Sequence, residues 1–496
     1  MTSNPSRHSV VIVGGGITGL ALALMLQRQN VDYVLLEAYG SVTPNVGASI
    51  GLWPNGLRVL DQLGVYEDIC AVAQPVDRSI VRDGKTGARL MTRKYGPVLK
   101  ARHGYVNMFM ERYELLRVLY RHVAEKDRIL VNKKVVRIDS DDDKATIHTR
   151  DGSVFEAQIV VGADGVHSAV RKEMWRNADE SDPAAIPKCD RENIRCEHAC
   201  IFGTAKPQPD VKQGEVVGAS TEGTTAGVMV GPKKELFTFW FWQLPEEMRS
   251  CPIDAIPRFD DEEKQRQLNR AANTIMSDSG LRFQQVSETL EYSVVTALPH
   301  FVLRRWHFGR LIVLGDAAHK FNPLVGQGGN SCIESCASLV NALQSTLKTQ
   351  PSSRPDAWSI TTLSSAFTAV EQQRVGRLVD MVDKCQEAMR NSAWETPTRR
   401  FMFKYIVPLF TLSQFVNFHS DLITAGVRLN DCEIRPKIHE WLYDDEQQEK
   451  QKAKRIDATR VITTVGLVTA AAAILLRNQH VVGQVLTKSK AVLSQS

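Results

Sequence analysis

A glycine-rich turn between an apolar strand and a helix constrains this chain more than any other feature. Val10–Val13 is an apolar run that predicts a buried strand, and Leu20–Gln29 continues as a helix. Between them, Gly14, Gly16 and Gly19 give the spacing G-x-G-x-x-G. Glycines at these positions permit a tight turn, close approach of a pyrophosphate and close packing of the helix on the strand. The stretch therefore predicts a Rossmann-like unit that binds a dinucleotide.

A second strand follows and ends in an acidic residue. Tyr33–Leu36 is apolar, and Glu37 comes at the distance from the glycines at which a carboxylate accepts hydrogen bonds from an adenosine ribose. The spacing alone does not distinguish NAD from FAD. A plain NAD domain would continue with further strand–helix units, whereas Gly47–Leu63 is a glycine-bearing loop that leads into a helix from about Asn55.

Residues 311–330 form a second glycine-rich connection. Leu311–Leu314 predicts a short buried strand, and Asp316 follows at its carboxyl end, where α/β folds bind their ligands. Gly326, Gly328 and Gly329 leave room for a flat or phosphorylated ligand against the backbone. The residues after them have helical spacing, so the loop leads to a helix N-terminus that favours an anion. The alternative is a tight strand–loop–helix connection without a ligand.

Two further positions are candidates for the same site. Asp164 lies in a glycine–aspartate turn after the predicted strand Val154–Val161; alternatively, Asp164 or Ser168 caps the helix that follows. Arg112 lies in the first turn of the predicted helix Met110–Leu119, which is an unfavourable place for a cation. This position indicates that Arg112 faces an anion, and the alternative is a salt bridge with a neighbouring carboxylate.

Composition excludes several classes of protein. The 496 residues are too many for one domain, and 43% hydrophobic with 24% charged residues is normal for a soluble globular fold. A formal charge of +5 without a basic arm indicates no nucleic-acid binding. Nine cysteines, none in a C-x-x-C pair, indicate a reducing compartment. Cys196, His198 and Cys200 have no second ligand pair at zinc-like spacing, so we expect no metal site.

These features occur together and in order, and they resemble the group A flavin-dependent monooxygenases, which use FAD and NADPH. Within that family the sequence is most similar to fungal enzymes that epoxidise prenyl chains in indole-diterpene and meroterpenoid biosynthesis. The phrases that carry the resemblance are GASIG, PNGLRVLDQLG and GDAAHKFNPLVGQGGN. The resemblance covers the chain from about Ser9 to Leu347.

The resemblance implies which residues bind the adenosine half of FAD. Gly14, Gly16 and Gly19 would hold the pyrophosphate. Glu37 would accept hydrogen bonds from the ribose.

The resemblance also implies residues for the flavin half. Gly51 and Arg112 would approach the flavin side of the cofactor, and Gly329 would pass under the isoalloxazine. Asp316 would bind the region between the ribityl chain and the pyrophosphate. Asp164 belongs to the turn that the family associates with both FAD and NADPH.

The family chemistry needs no metal and no protein nucleophile, because the flavin carries the reaction. NADPH would reduce the flavin, which would then use O2 to oxygenate an electron-rich carbon. We find no His, Tyr or Arg set that can be assigned as a catalytic base, so the catalytic residues stay unknown. Since an alkene needs no base to accept oxygen, we expect epoxidation of an isoprenoid double bond in an apolar, prenylated substrate. Hydroxylation of an aromatic ring is the alternative.

A rival function comes from another class of protein. Non-catalytic prenyl-binding proteins of the GDI type share the fold and perform no redox chemistry. The complete GDAAH…GQGGN phrase, which contains Asp316 and the flavin-side glycines, argues against this interpretation.

The predicted fold is α/β, with a Rossmann-like FAD-binding domain, an inserted β-rich substrate domain and a C-terminal helical region. The expected boundaries are 7–190 and 298–350 for the FAD-binding domain, 191–297 for the substrate domain, 351–443 for the helical region, and 444–496 for a charged linker and membrane anchor. In the substrate domain, Leu236–Trp242 predicts a strand with aromatic residues on both faces. It would present either Trp240 and Trp242 or Phe239 and Phe241 to the substrate; the alternative is that all of them are core.

The predicted anchor is Val461–Leu476, which carries no charge and follows a charged linker. It is shorter than the roughly 20 residues that a membrane-spanning helix needs. We expect it to hold the protein in a membrane as a single pass, with the catalytic domains in the cytosol, because basic residues are in excess on its N-terminal side. A helix docked on a cytoplasmic enzyme is the alternative.

Overall fold

The computed structural model of the protein describes residues 5–44, 49–349, 358–433, 435 and 437–451. The chain divides into two compact units, one ending at Trp441 and one beginning at Leu442. The described part of the second unit is helical over residues 444–451. The sheets and the candidate site lie in the first unit.

The described strands and helices are numbered in chain order. The strands are β1 (Ser6–Val13), β2 (Tyr33–Leu36), β3 (Ser49–Leu52), β4 (Gln74–Pro75), β5 (Arg78–Asp83), β6 (Arg89–Arg93), β7 (Met108–Glu111), β8 (Ile129–Leu130), β9 (Val135–Ser140), β10 (Ala145–Thr149), β11 (Val154–Gly162), β12 (Ile194–Ala205), β13 (Glu215–Thr221), β14 (Thr224–Val230), β15 (Leu236–Gln243), β16 (Ser250–Cys251), β17 (Leu290–Val302), β18 (His307–Phe308), β19 (Leu311–Val313) and β20 (His319–Lys320). The helices are α1 (Ile17–Arg28), α2 (Pro54–Gln62), α3 (Tyr66–Val72), α4 (Gly96–His103), α5 (Arg112–His122), α6 (Ala169–Ser181), α7 (Lys188–Arg191), α8 (Asp261–Ala271), α9 (Phe283–Ser287), α10 (Gly328–Thr349), α11 (Ile360–Ser392), α12 (Pro397–Phe401) and α13 (Leu412–Thr424).

The first sheet has the strand order β18-β19-β11-β1-β2-β8, and β10 and β9 extend it beside β11. β1 pairs in parallel with both β2 and β11, and β11 pairs in parallel with β19. In this register Val13 lies opposite Leu36 on one side and Gly162 on the other. Gly162 in turn lies opposite Val313. The four strands therefore end in one row, and the loops that follow them leave the sheet at the same edge, which is where α/β folds bind ligands.

The second sheet has the order β20-β17-β12-β15-β14-β13-β5-β6, with β16 beside β12. Its neighbours are antiparallel except β13 and β5, which are parallel. β5 and β6 come from residues 78–93, and they cover an edge of β13 whose backbone would otherwise lack partners. These two sheets, a third sheet of order β3-β7-β4, and the helices confirm the predicted α/β class. The predicted domain boundaries stay a prediction, although the second sheet draws strands from both sides of 191–297.

Alternate residues of β15 pack on opposite faces of the second sheet, as the period of a strand requires. Trp240 and Trp242 are buried on one face, in an apolar core that includes Phe283 of α9. The indole Nε1 of Trp240 donates to Gln267 of α8 at 3.4 Å. This face is therefore closed by α8 and α9.

A buried carboxylate ties α10 to α11 and α2. Glu334 of α10 is 0% exposed, and it forms ion pairs with Arg374 and Arg377 of α11. Asn55 of α2 also donates from Nδ2 to Glu334 Oε1 at 2.6 Å. Burial alone would raise the pKa of Glu334, but the two guanidinium groups outweigh this effect and lower it to about 2. Because an unpaired buried charge is very unfavourable, these side chains hold the three helices in fixed relative positions.

The structure contradicts the predicted membrane location. In the part of the chain that the structure describes, no helix combines the length and the apolar surface that crossing a bilayer requires. α11 is long enough, but it carries charged residues such as Arg374 and Arg377 along its length. The proposed anchor Val461–Leu476 lies outside the described residues.

We predict that Glu334→Gln lowers the free energy of unfolding by about 3–5 kcal/mol, because it leaves two buried guanidinium groups without a carboxylate. Denaturant unfolding followed by tryptophan fluorescence at neutral pH measures this loss. Since the folded-state pKa of Glu334 is depressed to about 2, its stabilisation is present above the usual range of a carboxyl group and is lost as the pH falls towards that value.

Asp380→Asn is the matched control. Asp380 also lies on α11, but its pair with Lys384 at 2.8 Å is largely exposed, so the change should cost less than about 1 kcal/mol. Equal losses in the two variants would contradict the importance of the buried pair.

Candidate functional site

The glycine turn after β1 is packed too tightly for other residues. Gly14 has φ +105°, and a Cβ on it would lie 2.6 Å from the carbonyl oxygen of Ala163. A Cβ on Gly19 would lie 1.9 Å from the carbonyl oxygen of Gly14. Gly16 is the N-cap of α1 and provides no capping side chain, and the first turn of the helix contains no acidic residue. The N–H groups at this helix end are therefore available to an anion.

Glu37 lies beside this turn at the end of β2. Its Oε2 accepts a hydrogen bond from Gly15 N at 2.7 Å, and its Oε1 accepts one from Tyr39 N at 2.8 Å. These bonds fix the orientation of the carboxylate. Each carboxylate oxygen accepts more than one hydrogen bond, so capacity remains for a ribose hydroxyl.

Asp164 uses its side chain to cap α6. Its Oδ2 accepts hydrogen bonds from Ala169 N at 2.7 Å and Val170 N at 3.1 Å, and Ser168 Oγ accepts one from Arg171 N at 2.9 Å. Both Asp164 and Ser168 therefore accept hydrogen bonds from the first turn of α6, as the alternative interpretation of the sequence proposed. Burial raises the pKa of Asp164 despite these hydrogen bonds. What the turn offers a cofactor is its backbone, which lies against Gly14.

Arg171 connects this turn to the loop that carries Asp316, a role that no local sequence pattern indicates. The guanidinium is fully buried and donates to Ala317 O at 2.8 Å and to Val166 O at 2.7 Å. Burial lowers its pKa to about 10. Because Ala317 lies 146 positions further along the chain, only the fold reveals this partner.

Asp316 lies in a short 3₁₀ turn, Gly315–Ala317, at the end of β19. Its side chain is 34% exposed and forms an ion pair with Lys320. Burial lowers the pKa of Lys320, but the Asp316 carboxylate raises it by more, so the ammonium keeps its charge. A Cβ on Gly315, which has φ +61°, would lie 2.3 Å from Thr18 Oγ1. The loop therefore packs directly on the first turn of α1.

Arg112 is the first residue of α5, and its side chain extends to the start of α1. A Cβ on Gly16 would lie 3.6 Å from a terminal nitrogen of its guanidinium. Among the residues that the structure describes, no carboxylate lies within ion-pair distance of Arg112, so the salt-bridge alternative is not realised there. A cation without a carboxylate partner next to an uncapped helix N-terminus is suited to a phosphate.

Gly51 and Gly329 lie where the backbone of β3 meets the start of α10. A Cβ on Gly329 would lie 2.6 Å from Ile50 Cδ1, and one on Gly51 would lie 2.8 Å from the ring of Phe109. A Cβ on Gly328 would meet nothing within 4 Å. The first turn of α10 therefore combines close packing on one side with open space on the other, where a flat ring can lie against the backbone.

Asn330 fastens these segments together, and the sequence did not single it out for this role. It is 0% exposed, and its Oδ1 accepts from Trp53 N at 2.9 Å. Its Nδ2 donates to Gly51 O at 3.0 Å and to Gly326 O at 2.8 Å. All three partners are backbone groups, so the amide sets the distance between β3 and the glycine loop.

An aromatic stack lies against the glycine loop. The rings of Trp53 and His419 are 4.5 Å apart and nearly parallel, and Tyr95 stacks beside both. A Cβ on Gly326 would lie 2.9 Å from Trp53 Nε1. Burial lowers the pKa of His419 to about 4, so the ring is neutral at pH 7.

The second sheet presents an apolar surface to the glycine loop. Phe239 and Phe241 stack with their centroids 6.2 Å apart, and Phe202 meets Phe239 edge to face. This cluster also contains Leu324, which precedes the glycines of the loop, and Met389 of α11. Of the two pairs considered in the sequence, the phenylalanines therefore share a cluster with Leu324 of the glycine loop, while the tryptophans are buried on the other face.

The residues present fit FAD. The uncapped start of α1 and Arg112 suit a pyrophosphate, the fixed carboxylate of Glu37 suits a ribose, and the open backbone at Gly328 suits a flat ring. The apolar cluster with Leu324 then adjoins the position that this ring would take. FAD contact by the individual residues stays a prediction.

We predict that Asp316→Ala weakens FAD binding by about 10- to 100-fold, because one charged hydrogen-bond acceptor is lost. The flavin-to-protein absorbance ratio of the purified, folded variant measures the effect. Asp179→Ala is the control, since Asp179 is exposed and its ion-pair partner among the described residues is Arg191 on the surface, at 2.6 Å. Full FAD occupancy and full activity in the Asp316 variant would show that the site is assigned wrongly.

Comparison with known proteins agrees with this geometry. The FAD binding domain family matches residues 7–373. The FAD-dependent monooxygenase nvfK of Aspergillus novofumigatus is 33% identical over 427 residues, which cover 86% of this chain and 88% of that protein. The FAD-dependent monooxygenase ausM of Penicillium brasilianum is 33% identical over 405 residues, which cover 81% and 83%.

Solved structures show the same fold. HpxO of Klebsiella pneumoniae, complexed with FAD and uric acid, has a TM-score of 0.67 and 20% identity, covering 85% of this chain and 97% of that one. PqsL of Pseudomonas aeruginosa in complex with 2-aminobenzoylacetate has a TM-score of 0.62 and 20% identity, covering 80% and 99%. The matched family and the long alignments with monooxygenases confirm the resemblance, and the chain belongs to the family of FAD-dependent monooxygenases, with FAD as its cofactor.

Proposed function

We propose that this enzyme uses NADPH and O2 to epoxidise an isoprenoid double bond in a prenylated secondary metabolite of terpenoid or meroterpenoid type. The observation that carries the proposal is the apolar surface of Phe202, Phe239 and Phe241, which adjoins the cofactor loop through Leu324. A hydrocarbon chain gains about 25 cal/mol for each Å² that it buries there. The relatives from Aspergillus and Penicillium are named as FAD-dependent monooxygenases, which supports a fungal metabolite as substrate.

When bound, FAD would supply the redox chemistry, namely hydride acceptance from a nicotinamide and activation of O2. The chain supplies binding and enclosure. Glu37, Arg112 and the start of α1 orient the cofactor, and the phenylalanine cluster excludes water from the carbon that is oxygenated. We propose NADPH as the electron donor because the group A flavin-dependent monooxygenases, which the sequence resembles, use it.

The histidines near the phenylalanine cluster favour an alkene over a phenol. His198 lies on the same strand face as Phe202, but its Nε2 already bonds to Glu395 at 2.6 Å. Burial lowers the pKa of His300 to about 4, and its ring lies 2.7 Å from the side-chain nitrogen of Gln386. Burial lowers the pKa of His319 to about 3. His300 and His319 are therefore too weakly basic to take a proton from a phenol at neutral pH, and His198 is only 1% exposed, whereas epoxidation needs no such step.

Incubation of the enzyme with NADPH, labelled O2 and a farnesylated phenol tests the proposal. We expect one labelled oxygen in the product, on the prenyl chain, because the activated oxygen adds directly to the double bond. Mass spectrometry with fragmentation locates the label, and omission of NADPH is the control. Label from water, or turnover without O2, would contradict the monooxygenase chemistry. Label on the aromatic ring would instead support hydroxylation.

A further inference from the structure

Two glycines lie directly opposite each other in the middle of the second sheet. Gly218 of β13 pairs with Gly227 of β14. Neither has a positive φ, so their backbone conformations do not require glycine. Glycine inside a strand costs about 0.5–1 kcal/mol relative to alanine. A glycine in a strand often marks a place where a ligand or another backbone approaches closely.

The protein itself leaves space above both glycines. Among the described residues, a Cβ on Gly218 would meet only Ala226 O, at 3.9 Å, and a Cβ on Gly227 would meet the ring of Phe239 at 3.5 Å. Both distances are ordinary van der Waals contacts. Gly203 of β12 differs, because a Cβ there would lie 2.5 Å from the side chain of Leu290. Packing explains Gly203, whereas the described residues do not explain the other two.

The glycine pair belongs to a row that crosses five strands on one face. The register runs in order through Phe202, Phe239, Gly227, Gly218 and Val81. Phe202 and Phe239 pack with Leu324 of the cofactor loop, so the row lies on the substrate side of the sheet. The neighbours of the two glycines along their strands point to the opposite face and are buried in its core, namely Val217, Ala219, Ala226 and Val228.

The row therefore contains a slot with an apolar wall at each end. Three strand spacings separate Phe239 from Val81, which is about 14 Å between backbones. The floor is the backbone of the two glycines, and no side chain projects from it. A slot of this shape fits a flat or extended hydrocarbon group.

We propose that Gly218 and Gly227 determine substrate size, because their slot holds the hydrocarbon part of the substrate. This inference rests on the proposed function, since it concerns the same apolar substrate. A Cβ at either position would enter the space of the substrate and make only ordinary van der Waals contacts with the described residues. Affinity should therefore fall with the size of the introduced side chain and with the length of the bound hydrocarbon.

The test measures the binding of geraniol, farnesol and geranylgeraniol to the FAD-loaded enzyme by the perturbation of flavin absorbance. Gly218→Ala and Gly218→Leu form a graded series. The control is Gly376→Leu, an exposed position of α11 where a Cβ meets nothing within 4 Å. We expect Gly218→Leu to raise the Kd of geranylgeraniol at least about tenfold, which corresponds to roughly 1.4 kcal/mol. We expect a smaller rise in Gly218→Ala, little change for geraniol and none in the control.

Flavin content and thermal unfolding of each variant show whether the fold and the cofactor site persist, as the open space above Gly218 leads us to expect. Unchanged geranylgeraniol affinity in Gly218→Leu would overturn the slot and leave the proposed function in place. An equal loss of affinity for all three alcohols would also overturn it. If the wild-type flavin responds to none of the alcohols, both the slot and the proposed substrate class are wrong.

Discussion

The buried carboxylate of Glu334 is the interaction on which the rest of the site depends. A buried charge is stable only when it is paired and hydrogen-bonded. Glu334 is paired with Arg374 and Arg377 of α11, and it accepts a hydrogen bond from Asn55 of α2. Glu334 lies about one turn after Asn330, so the same helix end that must satisfy this charge also carries the amide that fixes β3 and the glycine loop. The ion pairs that compensate for the desolvation of Glu334 therefore also fix the backbone against which we expect the flavin to lie.

The polar half of the site, at the strand ends of the first sheet, lies beside the apolar half, on the second sheet. The row of strand ends in the first sheet brings four loops to one edge, and close contacts such as that of Gly14 with Ala163 remove water from between them. The phenylalanine face of the second sheet then closes the far side of the loop through Leu324. In the proposed complex, a charged cofactor and a hydrocarbon substrate would therefore meet across a single short segment, the residues from Asp316 to Gly329.

Features that depend on neighbours in sequence could be predicted, and features that depend on distant partners could not. The glycine turn, Glu37 and the Asp316 loop follow from local spacing, because a strand, a turn and a helix start are encoded within some 20 residues. Arg171, Asn330 and Glu334 were missed, since their partners lie far away in the chain and a lone polar residue in a helix carries no local sign of burial. The glycine pair in the second sheet was missed for a related reason, because only strand register shows that Gly218 faces Gly227.

The central claim is that these loops form a binding site for FAD, and the flavin content of the purified wild-type protein tests it most directly. The absorbance spectrum is recorded before and after incubation with FAD and removal of the excess. If the loops form the FAD site, we expect the two bands of a bound flavin and stoichiometric FAD, released unchanged when the protein is denatured. A folded protein that is colourless and takes up no FAD would contradict it.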